Sequence, residues 1–117
     1  MRENNLPVAY DVELAERIRA VVRGEPGLAE KRMFGGLAFL IHGNMAVSAS
    51  SQGGLLLRVD PAATESLLSE PLVRRFEMRG RAMDGWLHVD AEAVDSDDDL
   101  RRWVGHGLAY ARSLRPK

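Results

Sequence analysis

The amino-acid sequence predicts an α+β domain, in which an N-terminal and a C-terminal helix pack on an antiparallel β-sheet of about five strands. Apolar residues recur with helical spacing near both ends of the chain, and short alternating or apolar runs fill the middle. Clusters of Gly, Ser and Asn separate these runs, which favours the tight turns of a meander. The chain has 117 residues, 45% of them apolar and 28% charged, so a single ordinary core is expected.

The first helix is predicted to begin after Asp11, whose side chain can accept hydrogen bonds from the free amides of the first turn. Gly24 and Pro26 end it, because Gly tolerates left-handed backbone angles and Pro cannot continue a helix. Residues 1–9 are polar and aperiodic, and they are predicted to be a flexible leader to a single domain at 10–117. The apolar stripe of this helix consists of Leu14, Ile18, Val21 and Val22.

The next segment has the pattern of short strands. The predicted strands are residues 31–34, 37–41, 45–49 and 55–59, separated by glycine-containing turns. Gly35 and Gly36 allow two interpretations, a hairpin turn between two strands or a bulge within one long strand.

The second half of the chain alternates helices and strands again. Asp60 and Pro61 are typical of a helix start, and Pro71 closes that short helix. Residues 74–78 and 86–89 are predicted to be strands on either side of a turn at 80–85. The last helix is predicted to begin at Ser96, because its hydroxyl can cap the helix and three aspartates follow it where the helix dipole is positive.

Composition and motifs exclude several classes of catalytic and metal-binding site. The chain contains no Cys, which excludes disulfides, thiol nucleophiles and Cys-ligated metals. The three histidines, His42, His88 and His106, lack the close spacing typical of zinc ligands, and the glycine pairs lack the P-loop pattern. We therefore expect no enzyme activity, no catalytic residues, no cofactor and no metal ion.

Apart from the C-terminal end, one segment of the chain has a local concentration of basic residues. Arg74, Arg75, Arg79 and Arg81 could form a weak anion or nucleic-acid patch, or simply a solvated strand edge that resists edge-to-edge pairing. The formal net charge of −1 lacks the strongly basic character of dedicated nucleic-acid-binding proteins, so direct nucleic-acid binding is expected to be weak or absent.

The location is predicted from what the sequence lacks. No apolar stretch approaches the roughly 20 residues that span a bilayer, and the N-terminus has no signal-peptide pattern. We expect a cytoplasmic protein without membrane contact.

Four segments together resemble the N-terminal domain of the TfoX/Sxy family. They are Lys31-Arg32-Met33-Phe34-Gly35-Gly36-Leu37-Ala38-Phe39-Leu40, Gly43-Asn44-Met45-Ala46, Leu56-Leu57-Arg58-Val59 and Gly80-Arg81-Ala82-Met83-Asp84-Gly85-Trp86. The resemblance covers roughly residues 9–117. It implies a small α+β domain, similar to secretion-chaperone-like folds, from a family of regulators of competence and transcription. The full regulators carry a second, helical domain, so the chain is expected to be a stand-alone N-terminal domain.

The expected function is that of a non-enzymatic regulatory or protein-interaction domain, with an unidentified protein partner or a second copy of the chain in a homodimer. An alternative is a small-molecule-binding domain with an apolar pocket between sheet and helices, gated by Arg58 or His88. The residues predicted to form the distinctive surface or hinge are Met33, Phe34, Gly35, Gly36, Arg58 and Trp86.

Overall fold

The computed structural model describes residues 10–117 of the chain. Within that range the helices are α1 (Val12–Val22), α2 (Thr64–Leu68) and α3 (Asp97–Ser113). The strands are β1 (Leu28–Met33), β2 (Gly36–Ile41), β3 (Asn44–Ala49), β4 (Leu55–Arg58), β5 (Val73–Met78) and β6 (Arg81–Val89). The predicted leader, residues 1–9, lies outside the described residues.

The strands form one antiparallel sheet in the order β1-β2-β3-β4-β6-β5. The predicted α+β class is confirmed, with six strands where about five were expected. The difference arises at the glycine pair that allowed two interpretations. Met33 pairs with Gly36, so Phe34 and Gly35 are a two-residue turn between two strands.

Three hairpins of the sheet use the same kind of turn. Phe34-Gly35, His42-Gly43 and Arg79-Gly80 all have positive φ at both residues, with φ of 54° and 76° in the first of them. Two consecutive positive φ angles define the type I′ turn, whose twist matches that of the flanking strands. The glycine takes the second position in each turn without steric cost.

The predicted turn at 80–85 is wrong. Only Arg79 and Gly80 turn the chain, and β6 begins at Arg81. The register between β5 and β6 shifts between Arg75 and Glu77, and Gly85 has a φ of 85° in the irregular part of β6. A bulged strand with Asp and Gly has the composition of a loop, which is why its pattern was misleading.

The predicted helix starts are confirmed by their side-chain hydrogen bonds. The amide of Leu14 donates to the Asp11 carboxylate over 3.1 Å, and the amide of Asp99 donates to Ser96 Oγ over 3.1 Å. Asp60 accepts from the amide of Ala62 over 2.9 Å, at the short 3₁₀ turn that precedes α2. Local sequence therefore determines where the helices begin.

Apolar side chains fill both faces of the sheet. The larger cluster lies on the face that carries the helices, where Ile18 of α1 and Trp103 of α3 meet strand residues such as Leu57. The smaller cluster consists of strand residues alone. Its buried members are Ala38, Leu40, Met45, Leu56 and Phe76, with the partly buried Met33, Met78 and Trp86 packed against them.

Candidate interaction surface

The face of the sheet opposite the helices is the candidate site, and we call it the outer face. Paired residues in an antiparallel sheet lie on the same face, so the register identifies its members. Lys31 pairs with Ala38, and Met78 pairs with Arg81. In the same way, Arg58 pairs with Trp86, and Leu56 and Arg74 both pair with His88.

The outer face has an apolar centre that no described helix covers. Every residue of the smaller cluster comes from a strand. Its middle members, Ala38 and Leu56, are 0% and 2% exposed and belong to one cluster with the strand residues around them. Met33, Met78 and Trp86 lie at the boundary between this apolar centre and solvent.

Phe34 is the most exposed aromatic residue at this face. Its side chain is 44% exposed, and its ring lies edge-on to Trp86 with 6.4 Å between centroids and 77° between planes. Its φ of 54° lies in the left-handed region, which costs an L-residue about 1–2 kcal/mol. Phe34 therefore places an exposed aromatic ring in a strained backbone, at a position that Asn or Gly would fill more easily.

Arg58 joins the border of the outer face to α3. Its guanidinium carbon lies 5.1 Å from the ring centroid of Trp86 and 5.5 Å from that of Tyr110. Both contacts are within cation–π range. The guanidinium is thus held between a strand residue and a helix residue, which fixes the position of the Trp86 ring.

The two glycines of the predicted motif have backbone roles. Gly35 supplies the second positive φ of its turn. Gly36 has no unusual φ, but a Cβ there would lie 2.2 Å from the carbonyl oxygen of Ala49, so β2 and β3 approach closely only because the side chain is absent. Of the four motif residues, Met33 and Phe34 are therefore the ones whose side chains contribute to the surface.

Charge is distributed unequally between the two faces. The cations of the outer face are Lys31, Arg58, Arg74 and Arg81. The strand carboxylates, Glu30, Glu77 and Asp84, lie on the helix-bearing face, as the pairing of Glu30 with Phe39 and the contact of Asp84 with Arg75 indicate. Within residues 10–117 the strands therefore place cations and no carboxylate on the outer face.

Ion pairs occupy the other side of the molecule. Arg19 of α1 donates to Glu30 over 2.6 Å, and Arg112 of α3 donates to Glu25 over 3.0 Å. These hydrogen bonds lower the pKa of both carboxyl groups below the ordinary value for Glu. Several cations of the helix-bearing side are thus paired with carboxylates, whereas, among the described residues, those of the outer face are not.

The four predicted basic residues do not form one patch. Arg75 lies on the helix-bearing face, where hydrogen bonds to Glu65 and Asp84 raise the pKa of its guanidinium. Arg74 lies on the outer face and donates to Gln52 over 3.2 Å. Arg79 lies in the turn between β5 and β6, Arg81 begins β6, and neither makes an ion pair with any described residue.

His88 is buried in the sheet beside this face. It is 5% exposed, and its Nε2 lies 2.8 Å from the carbonyl oxygen of Gly53, a distance at which a neutral ring can donate a hydrogen bond. Burial lowers the pKa of the imidazole below its ordinary value, and nearby Arg74 acts in the same direction. His88 therefore fits a satisfied structural residue better than a gate.

No metal centre emerges from the described residues. No three His, Asp or Glu side chains among them are grouped closely enough to hold a metal ion. The space beneath α3 is filled by side chains such as Leu57, Leu87 and Val104. A depression of about 270 Å³ lies between α3, α2 and the segment that follows β4, but neither Arg58 nor His88, the two predicted gates, lines it. A second depression, of about 330 Å³, lies between α1 and α3, and exposed Asp97 and Arg101 help to line it.

In residues 10–117 no helix has both the length and the apolar character needed to cross a membrane.

A family model described as the TfoX N-terminal domain matches residues 21–111. The chain belongs to the TfoX N-terminal domain family. The match includes all six strands, the turn that carries Phe34 and most of α3. The family is not a known enzyme family, and no curated protein matches the chain.

Sequence reasoning found part of this surface and missed part of it. The resemblance to the TfoX N-terminal domain pointed to Met33, Phe34, Arg58 and Trp86, and the structure brings these residues together around one face. Lys31 was not singled out, although it lies inside the same motif. Its place on the outer face follows from alternation along β1 only once the pairing with β2 is known.

Proposed function

We propose that this TfoX N-terminal domain is a non-enzymatic, regulatory protein-interaction domain whose contact surface is the outer face. The observation that carries the proposal is Phe34, an exposed ring in a left-handed backbone beside Trp86. Leu72 has a similar exposure and a left-handed backbone, so these two properties alone do not indicate binding. What distinguishes Phe34 is the aromatic pair that it forms with Trp86 at the border of the apolar outer face, and aromatic residues are enriched at the centres of protein interfaces.

The residue types at this face support protein contact. Aromatic residues, Met and Arg are enriched in the centres of protein interfaces, where Lys, Glu and Asp are depleted. Phe34, Trp86, Met33, Met78 and Arg58 form such a group on the outer face. Rigid aromatic anchors at the centre of an interface often contribute most of its binding energy.

The lack of enzymatic activity is part of the proposal and has its own support. The polar side chains of the outer face are Lys31, three arginines, the buried Ser48, whose hydroxyl donates to the carbonyl of Ala49, and the buried His88, which is bonded to the carbonyl of Gly53. None of them forms the nucleophile and base pair on which covalent catalysis depends. A cytoplasmic location and a homodimer remain predictions, a second copy being one candidate partner.

The experiment compares two exposed apolar residues with left-handed backbones. Phe34 and Leu72 are 44% and 46% exposed, with φ angles of 54° and 68°. Phe34→Asn and Leu72→Asn both remove an exposed apolar side chain and suit the backbone, but only Phe34 contacts Trp86.

We expect native affinity capture with the full chain to recover a protein that Leu72→Asn also retains and Phe34→Asn loses. Mass spectrometry identifies the protein, and titration of the purified pair measures the loss. Light scattering checks whether the partner is a second copy. Equal retention by Phe34→Asn, with both variants folded by circular dichroism, would contradict the proposal.

A further inference from the structure

The chemistry of the partner can be inferred from the charge of the outer face. This face has an apolar centre, and the strands place cations and no carboxylate around it. Elsewhere in residues 10–117, six arginines are paired with carboxylates. A chain whose net charge is only −1 thus keeps one face cationic.

We propose that the outer face binds an acidic, amphipathic segment of a partner protein. An apolar side chain of that segment lies beside Phe34 and Trp86, and its carboxylates face Lys31, Arg74 and Arg81. This inference rests on the proposed function and specifies the partner of the same surface.

The cations of this face are free to accept such a partner. Lys31 and Arg81 are exposed and form no ion pair with a described residue. Arg74 is exposed, donates to the uncharged amide of Gln52 and forms no ion pair with Asp90, which lines the same depression. Arginine forks bind carboxylates with two parallel hydrogen bonds, so these side chains can select acidic residues by geometry as well as by charge.

Nucleic acid fits this face less well than protein does. Single-stranded nucleic acid binds by stacking bases on several free aromatic rings along a positively charged groove. Here Arg58 lies over the ring of Trp86 and Phe34 lies edge-on to it, which leaves Phe34 as the one exposed ring of the pair. The net charge of −1 provides no long-range attraction for a polyanion.

A second copy of the chain also fits less well. The acidic residues of this chain are concentrated at the start of α3, at Asp97, Asp98 and Asp99, on the side away from the outer face. Contact between the outer face of one copy and α3 of another would be head-to-tail, which builds a ring or a filament rather than a two-fold dimer.

The experiment selects peptides without assuming a partner. The full chain is presented to a phage library of random peptides, and a selected peptide is then titrated by fluorescence anisotropy. We expect the selected peptides to carry net negative charge and an aromatic or large aliphatic residue. The affinity of the chain for such a peptide should fall by about tenfold or more in the double variant Lys31→Glu/Arg81→Glu. It should also decrease with added salt.

A matched control separates a local effect from a change in total charge. Arg23 is exposed at the end of α1 on the helix-bearing side, and Arg23→Glu changes the net charge by the same two units as Lys31→Glu or Arg81→Glu alone. Arg23→Glu should leave the affinity within about twofold, whereas each single reversal on the outer face should lower it. Circular dichroism checks that each variant is folded. Selection of neutral or basic peptides, or unchanged binding by the double variant, would overturn the inference.

The outcomes also distinguish this inference from the proposed function. If Phe34→Asn abolishes peptide binding while the charge reversals do not, the surface is correct and the acidic partner is wrong. If neither change matters, both proposals fail. Tighter binding of fluorescent oligothymidine than of any selected peptide would replace the protein partner with nucleic acid.

Discussion

Phe34 and Arg79 occupy the same position in two turns of the same type, with φ of 54° in both. Asn-Gly is the favoured pair for such turns, since Asn tolerates left-handed angles. Arg79 is exposed and makes no ion pair with a described residue, so Arg79→Asn should raise the free energy of unfolding by about 0.5–1 kcal/mol.

The same substitution at Phe34 should give no such gain. Phe34→Asn relieves the same strain but loses an edge-to-face contact with Trp86 worth about 0.5–1.5 kcal/mol, so the two effects nearly cancel. Urea denaturation of both variants measures the difference. An equal gain at both positions would mean that the contact between the rings contributes nothing to stability.

His88 should make stability depend on pH in a narrow range. Its pKa is lowered in the folded state by burial and, to a smaller extent, by Arg74, although the hydrogen bond to the Gly53 carbonyl and nearby Asp90 act in the opposite direction. As the pH falls below about 6.5, the unfolded chain takes up a proton that the folded chain resists, so the free energy of unfolding decreases.

The substitution His88→Gln tests this dependence. Its amide can still donate a hydrogen bond to the Gly53 carbonyl, but it does not titrate. Urea denaturation between about pH 5 and 7 should show a smaller slope for the variant than for the wild type. Glu25 and Glu30 do not interfere, because their lowered pKa values make their contribution disappear only at more acidic pH. Equal slopes would assign the pH dependence to other groups.

At the level of elements, α3 contains two glycines with opposite requirements. A Cβ on Gly105 would meet no atom within 4 Å, whereas one on Gly107 would lie 2.3 Å from the carbonyl oxygen of Ala46 in β3. Gly105→Ala should stabilise the protein by about 0.5–1 kcal/mol, because Ala is the better helix former. Gly107→Ala should destabilise it by about 2–3 kcal/mol, because the helix must move away from the sheet. Thermal denaturation of the pair tests this, and a common sign would contradict the packing of α3 on β3.

The elements were predictable where local chemistry determines them. The Asp11 and Ser96 caps fixed the starts of α1 and α3, because a cap satisfies amides only a few residues away. The strand at 81–85 was missed because its bulge depends on pairing with β5, which lies across the sheet and leaves no period in the local sequence.

For the whole molecule, the sequence could not predict which face the helices cover. Every residue of β2 is buried, so its pattern contains no alternation that would distinguish the two sides. The resemblance named Phe34 and Trp86, but the register was needed to place Lys31, Arg74 and Arg81 with them. The charge asymmetry of the sheet is therefore a property of strand order, which local patterns do not encode.

The two tryptophans test whether both faces unfold together. Trp103 is 1% exposed on the helix-bearing side, and Trp86 lies on the outer face. Leu56 and Leu57 are neighbours in β4 but belong to the smaller and the larger cluster respectively. One cluster therefore cannot open without loosening a strand that the other also contains.

In Trp86→Phe and in Trp103→Phe, the fluorescence transition in urea should coincide with the transition measured by far-ultraviolet circular dichroism of the same variant. An earlier fluorescence transition in Trp103→Phe alone would mean that the outer face opens separately. If the two transitions coincide, the outer face unfolds only together with the rest of the domain. A surface variant such as Phe34→Asn that keeps native circular dichroism then also keeps a folded outer face, and its loss of binding is due to the lost side chain.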